Sequence, residues 1–212
     1  MQSCCVASLL LQFQGKEVFH AQDVLGGSAV DELSGLGIPA LADNSIGSTT
    51  LSGVLFTDWS YLNQQQNGVD TIATGYGMDI RRFYLGVDHV FDDIWSANLT
   101  TDFNYTNSNG ETQLFVKKAF VQARLAQSTT FRLGSADMPW IPFDESIYGY
   151  RFMEPTLVDR LHFGNSADWG AHFPGSNSWS NYAVSLVNGG GYKNPTRTKS
   201  MDWEGRWALY PR

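Results

Sequence analysis

No stretch of this chain approaches the roughly 20 consecutive apolar residues that a membrane-spanning helix needs. A helical membrane protein is therefore excluded. A barrel is not, because its strands carry their lipid side in alternate positions. Cysteine is confined to two adjacent residues, Cys4 and Cys5, and the rest of the chain has none. Adjacent cysteines make neither a C-x-x-C redox pair nor a zinc cluster, and no disulfide framework can be built from them. Positive charge is also short. Lys and Arg number 14 against 21 Asp and Glu, for a net charge of −7. An acidic chain gains nothing from a phosphate backbone, so nucleic acid is not expected as a partner.

Catalytic signatures are missing too. Gly75-Tyr76-Gly77 and Gly189-Gly190-Gly191 form neither a P-loop nor a dinucleotide fingerprint, and no serine sits in a G-x-S-x-G elbow. His20, His89, His162 and His172 show no H-E-x-x-H spacing and read as structural or surface residues. The neighbouring carboxylates Asp144 and Glu145 point apart on an extended chain, so they cannot flank one glycosidic bond. No enzymatic activity, cofactor or metal is expected.

What the chain does have is aromatic residues and glycine, with 7 Trp, 9 Tyr, 13 Phe and 21 Gly. Both favour strands and turns over helices. From residue 49 onward, apolar and polar residues alternate in runs broken by Gly, Asn, Asp and Pro. The clearest run is 94–105. Trp95, Ala97, Leu99, Thr101, Phe103 and Tyr105 share one face, and Ser96, Asn98, Thr100, Asp102 and Asn104 share the other. The run 201–210 repeats this, with Met201, Trp203, Gly205, Trp207 and Leu209 opposing Asp202, Glu204, Arg206 and Ala208. In 81–91, Phe83, Leu85, Val87 and Phe91 oppose Arg82, Tyr84 and Asp88, with Arg81 and His89 breaking the apolar face. In 112–125, Ala119, Val121, Ala123 and Leu125 oppose Lys118, Gln122 and Arg124. Lys117 breaks that face, which a β-bulge would explain. Weaker strands are expected at 49–62, 130–137, 166–173 and 179–188.

The connections fall near 63–78, 92–93, 107–111, 126–129, 138–165, 174–178 and 189–199. Odd-numbered ones are long or turn-rich and even-numbered ones short. That parity belongs to transmembrane barrels, with short periplasmic turns and longer extracellular loops. Asn107-Ser108-Asn109-Gly110 departs mildly, as a tight hairpin at an outer position. The longest connection, 138–165, is rich in aromatics and charge, and long loops inside compact domains are usually functional. In a wide barrel such a loop folds inward and narrows the channel. Before the strands, CCVASLLL (4–11) resembles a short signal-peptide core, but no Lys or Arg precedes it and no convincing cleavage site follows. A remnant signal peptide and an unrelated leader both fit. The stretch 21–47 reads as a short helix or loop. Residues 1–47 are thus a leader and 48–212 the barrel segment.

The stretches RRFYLGVDHVFDDIWSANLTTDFNY (81–105), LFVKKAFVQARL (114–125), LGSADMPWIPF (133–143), MEPTLVDRLHFGNSADWG (153–170) and YAVSLVNGGGYKNPTRTKSMDWEGRWAL (182–209) resemble the phosphate-selective porin O/P family of Gram-negative outer membranes. The resemblance covers about residues 50–210. It implies a trimeric, antiparallel transmembrane β-barrel of about 16 strands. Such a barrel conducts small solutes, anions such as phosphate among them. The eight strands expected here are half of that barrel, so the chain reads as the N-terminal part of a truncated copy. One departure concerns charge. Anion-selective members line the pore with Lys and Arg. The polar face here sets Arg82, Lys118, Arg124 and Arg206 against Asp88, Asp102, Asp202 and Glu204. A phosphate preference does not carry over residue by residue.

Selective pores place charged side chains at a narrow point. The constriction candidates are Asp144, Glu145, Arg151, Glu154, Asp159 and Arg160, against the plainer possibility that Glu154 and Arg160 form an ion pair that orders the loop. The lumen candidates are Arg82, Asp88, Asn98, Asp102, Lys118, Gln122, Arg124, Asp202, Glu204 and Arg206. Phe91, Trp95, Tyr105 and Trp203 are the candidates for interfacial girdles facing outer-membrane lipid. Two other classes stay open. One is a self-closed eight-stranded barrel serving as anchor or adhesin, whose interior holds only side chains. The other is a soluble glycan-binding β-sandwich, which would need no detergent and no loop parity.

Half a barrel leaves two edge strands with unpaired backbone groups, each costing several kcal/mol in lipid. The chain expressed alone is expected to associate edge to edge or to fail to accumulate in membranes. A folded 212-residue monomer that conducts ions, identified by mass measurement alongside conductance, would contradict this.

Overall fold

The structure, a computed structural model, describes residues 4–7, 17–20, 47–71, 74–104, 113–151, 154–195, 197 and 199–211. It is all-β and antiparallel. Two short strands, β1 (Cys4–Ala7) and β2 (Glu17–His20), are followed by the long β3 (Ser48–Leu62) and a small hairpin of β4 (Gln65–Gln66) and β5 (Val69–Asp70). Then come β6 (Gly75–Val90), β7 (Trp95–Asn104), β8 (Gln113–Ala126), β9 (Thr129–Asp137), β10 (Ala167–Ser176), β11 (Ser180–Val187) and β12 (Asp202–Leu209). Two short helices, α1 (Ile141–Tyr148) and α2 (Leu157–Arg160), lie between β9 and β10. The eight long strands form a meander in the order β3-β6-β7-β8-β9-β10-β11-β12, and β1 and β2 pair with the outer edge of β3. Among the described residues β12 pairs with β11 alone, so the sheet is open.

All eight expected strands are present, with two boundaries moved. The strand expected from residue 81 begins at Gly75, and Gly75 to Ile80 pair with Leu62 to Thr57. A register shift explains why the sequence hid this. Arg82 pairs with Phe56 and Ile80 with Thr57, leaving Arg81 as the extra residue of a bulge. The bulge moves the phase of alternation by one, so a pattern counted back from Phe83 fails before Tyr76 and Met78. The first connection shortens accordingly to 63–74 and holds the β4–β5 hairpin, whose turn uses positive φ at Asn67 and Gly68. The strand expected to end at 173 runs on through Pro174 to Ser176. Its ladder to β9 omits Phe173 and Pro174 and resumes at Gly175, which accommodates the missing proline N–H.

Loop parity follows the sequence pattern. At one end, turns at 91–94, 127–128 and 177–179 are short. Asp92 Oδ1 accepts from the Ile94 and Trp95 amides, and Asn177 Oδ1 from those of Trp179 and Ser180. At the other end, 63–74, 138–166 and 188–201 are long. The tight hairpin expected at 107–111, Tyr105, and the helix or loop expected at 21–47, apart from Gly47, lie outside the described residues.

The two faces of the sheet have inverted environments. One carries Leu85, Leu99, Val121, Leu133, Val184 and Trp207, all exposed. The other carries Asp102, Lys117, Asp168, His172 and Ser185, all buried. The covering layer is the 138–166 connection, laid over the polar face. Eight strands lying flat would span about 34 Å, yet α1, about 12 Å long, contacts β12 and lines one cavity with Ser52, Val54 and Phe56 of β3. The sheet is therefore curled into a trough around α1.

Close strand approach in the middle of the trough depends on Gly134, at φ +129°. A Cβ there would lie 2.2 Å from the Ala119 carbonyl oxygen and 2.9 Å from Phe120 Cα. Gly134→Ala is expected to destabilise the fold by about 2 kcal/mol or more, read as a lowered unfolding midpoint in denaturant. Gly164→Ala, which meets no atom within 4 Å, should leave it unchanged.

Candidate functional site

The trough interior is organised by the 138–166 connection. Its base is closed by the Met138 amide donating to the Ser166 carbonyl at 3.1 Å, and Met138 and Ile141 are buried beneath it. Proline at the start of α1 suits a helix whose first amides have no intrahelical acceptor. Gly149, left-handed at φ 71°, ends it. Arg206 of the edge strand β12 holds this segment. Its Nε donates to the Pro139 carbonyl at 2.7 Å, its guanidinium lies 3.7 Å from the Phe143 ring centroid, and it also bonds Asn181 Oδ1. Arg206 thus ties the loop to the wall at a separation of 67 residues.

The six constriction candidates divide into three groups. Arg151 pairs with Glu145 of α1 and reaches Asp159 of α2 at 3.7 Å, so Glu145, Arg151 and Asp159 form one linked set. Glu154 and Arg160 pair with each other at 3.5 Å, both well exposed, and such a pair contributes little. Asp144 stands in the first turn of α1 outside both sets, where its charge suits the helix dipole. Of the six, only Glu145 and Arg151 line the central cavity.

The lumen candidates all fall on strands of the trough. Arg82 donates to Asp102 at 3.1 Å, and Asp102 is fully buried. Asn98 donates to Asp88 at 2.7 Å and accepts from Thr100. Lys118 pairs with Asp137 at 2.9 Å. Gln122 accepts from Arg132 Nε at 2.8 Å and donates weakly to Ser96. Arg124 is exposed beside the turn after β8 and lines a second cavity under α1. On β12, Asp202 is exposed, Glu204 is half-buried, and Arg206 makes the latch described above.

Several residues of the interior escaped the sequence reading. Lys117 is the extra residue of a bulge, because Thr100 pairs with Lys118 and Thr101 with Val116. The bulge turns Lys117 inward, so the suspected break in the apolar face is a second inward lysine. Its Nζ lies 3.4 Å from Tyr84 Oη and 4.6 Å from the Tyr84 ring centroid. Tyr192, from the 188–201 connection, stacks on Phe115 of β8 at 5.8 Å and comes within 5.9 Å of Lys117 Nζ. Lys193 caps the Phe115 ring at 4.7 Å. Burial pushes the Tyr192 phenol up and the Lys193 ammonium down from their ordinary values. This second inward loop is pinned by Trp169 Nε1 donating to the Tyr192 carbonyl and the Tyr192 amide donating to Ala167. An aromatic-lysine pair amid glycines was the one signal of it in the sequence. His172 is buried and bonded to Ser185 Oγ and the Asp168 carbonyl, a structural role as expected.

Between loop and wall lies a cavity of ≈ 470 Å³ lined from β3, β6, β7, β8, β9, α1 and Arg151. Its lining mixes hydroxyls and amides (Ser52, Thr100, Ser166, Asn98) with apolar surface (Val54, Phe56, Pro142) and six charged side chains. Its lining suits a small hydrophilic solute. Nothing in it resembles a nucleophile poised beside a base. No family model, no curated protein and no solved structure matches the chain.

Arg206→Ala removes two hydrogen bonds and the Phe143 contact. Unlatching of the 138–166 segment is expected to cost about 2 kcal/mol. Trypsin cleavage after Arg151 or Arg160 should then accelerate by about 30-fold, measured by mass spectrometry on the folded protein. An unchanged rate would mean that Arg206 does not hold the loop.

Proposed function

We propose that this chain forms the wall and constriction of an outer-membrane porin, a water-filled channel for passive diffusion of small solutes. The observation that carries this reading is the inversion of the two faces. The bare face carries exposed apolar side chains such as Leu85, Leu99, Val121, Leu133, Val184 and Trp207, while the covered face holds buried Asp102, Lys117, Asp168, His172 and Ser185 and the Arg82–Asp102 and Lys118–Asp137 pairs. A soluble β-sandwich packs its apolar face inward, the opposite arrangement. A hydrocarbon surround suits the face seen here.

Three further features support it. Exposed aromatics gather at the strand ends. Trp59, Tyr61, Tyr76 and Trp203 stand toward the long loops, and Phe91, Trp95, Trp179, Trp207 and Tyr210 toward the short turns. Aromatic girdles mark the two interfaces of a membrane barrel. Long and short connections are sorted by end. The longest one folds into the trough, as a constriction loop does. The open sheet disfavours a self-closed eight-stranded anchor, and an interior holding two loops needs a wider barrel, completed by further strands or another copy. Lipid is then the partner of the apolar face. The lining does not favour a phosphate filter. Lys117, Lys118 and Arg151 are balanced there by Asp88, Asp137 and Glu145.

Refolding into liposomes containing brominated lipid tests the membrane reading. Bromine should quench Trp203 and Trp207, which are 71% and 69% exposed on the outer face. Conductance of the same preparation in planar bilayers tests the channel. A chain that stays in the aqueous phase with unquenched tryptophans would overturn the proposal.

A further inference from the structure

The charged lining of the central cavity is unevenly paired. Lys118 is neutralised by Asp137 at 2.9 Å and Arg151 by Glu145. The two remaining charges have opposite sign. Lys117 is only 7% exposed, and among the described residues it has no carboxylate within ion-pair distance, only the Tyr84 hydroxyl and ring faces. Asp88 is exposed; among the described residues it accepts a hydrogen bond from the neutral amide of Asn98 and has no ion-pair partner within 4 Å, although its charge reaches the Arg132 guanidinium. Arg132, the other cation of this region, is held by Gln122 and lines the second cavity.

These two charges stand toward opposite ends of one cavity. Tyr84, which carries Lys117, and Asp88 are four residues apart on β6, or about 13 Å along a strand. Between them on the same face is Gly86, whose missing side chain makes room for the Ser52 hydroxyl. Val54, Phe56 and Pro142 supply apolar surface, and Ser52, Thr100 and Asn98 supply hydrogen bonds. An extended peptide of three residues places its charged ends about 10 Å apart, within reach of both groups with side-chain adjustment.

We propose that this cavity is a binding subsite for zwitterions of tripeptide length, the carboxylate on Lys117 and the ammonium on Asp88. The assignment rests on the channel reading for its route of access. A dianion is disfavoured because one free cation stands among three carboxylates. A simple monoanion or monocation leaves one buried or lining charge unanswered. A zwitterion answers both and changes the net charge of the site by nothing.

The test uses the full chain refolded in detergent and titrated calorimetrically at neutral pH with triglycine, N-acetyl-triglycine, triglycine amide and inorganic phosphate. Triglycine should bind, and each capped form should bind about tenfold more weakly. Lys117→Gln should abolish the cost of losing the carboxylate, and Asp88→Asn that of losing the ammonium. Capped and free peptides binding alike, phosphate binding more tightly than triglycine, or no triglycine binding at all would each overturn the proposal. The capped ligands act on the unaltered protein, so they decide the matter even where a variant fails to fold. Because binding in detergent needs no conduction, discrimination without channel activity would remove the channel reading and leave the subsite. Conductance without discrimination would do the reverse.

Discussion

Everything in this fold depends on the strict period of two along an antiparallel strand. With one face bare and apolar and the other covered and polar, a one-residue slip would turn each side chain to the wrong environment. Two of the three register shifts in the described ladders, those at Arg81 and Lys117, show how that constraint is met; the third, at Leu125, falls beside the turn after β8. Arg81 and Lys117 are each an extra residue opposite one on the neighbouring strand, and after each the alternation resumes with the same kind of residue on the same face. At 117 the insertion does chemical work as well. It places two consecutive lysines on the polar side, one paired with Asp137 and one against Tyr84.

A polar face of this kind has to satisfy itself across strands. The pairs that do so join neighbouring or near-neighbouring strands: Arg82 with Asp102, Asn98 with Asp88, Arg132 with Gln122, Lys118 with Asp137. Asp102 is fully buried, and a buried carboxylate without its guanidinium would be costly, whereas the exposed Glu154–Arg160 pair contributes little. Depth in the trough, not the number of ion pairs, decides which charges matter to the structure.

Much of this was legible in the sequence, and the boundary of what was legible has physical causes. Runs such as 94–105 and 201–210 announce both faces because nothing interrupts their alternation. The start of β6 was hidden by the bulge at Arg81, and the end of β10 by Pro174, whose missing amide falls where the ladder to β9 lapses. The 138–166 segment was visible as a long charged loop. Which of its charges meet was not, because Arg151 chooses Glu145 and Asp159 through the turn after Gly149, and spacing alone does not fix that geometry. Tyr192 and Lys193 give no periodic signal in the sequence because their connection is glycine-rich, and their partner Phe115 is far away in the chain.

The meander has a consequence for how the molecule is made. Each long strand pairs with the next one along the chain, so closing any one ladder costs only the entropy of a single connection. Pairing can then advance hairpin by hairpin in chain order, the low-contact-order route that folds fastest for a sheet. The contacts that shape the interior belong to another class. Arg206 meets Pro139 across 67 residues, and β12, which supplies it, follows the other described strands along the chain. On a hairpin-by-hairpin route the latch on the 138–166 segment therefore closes only after those strands have paired.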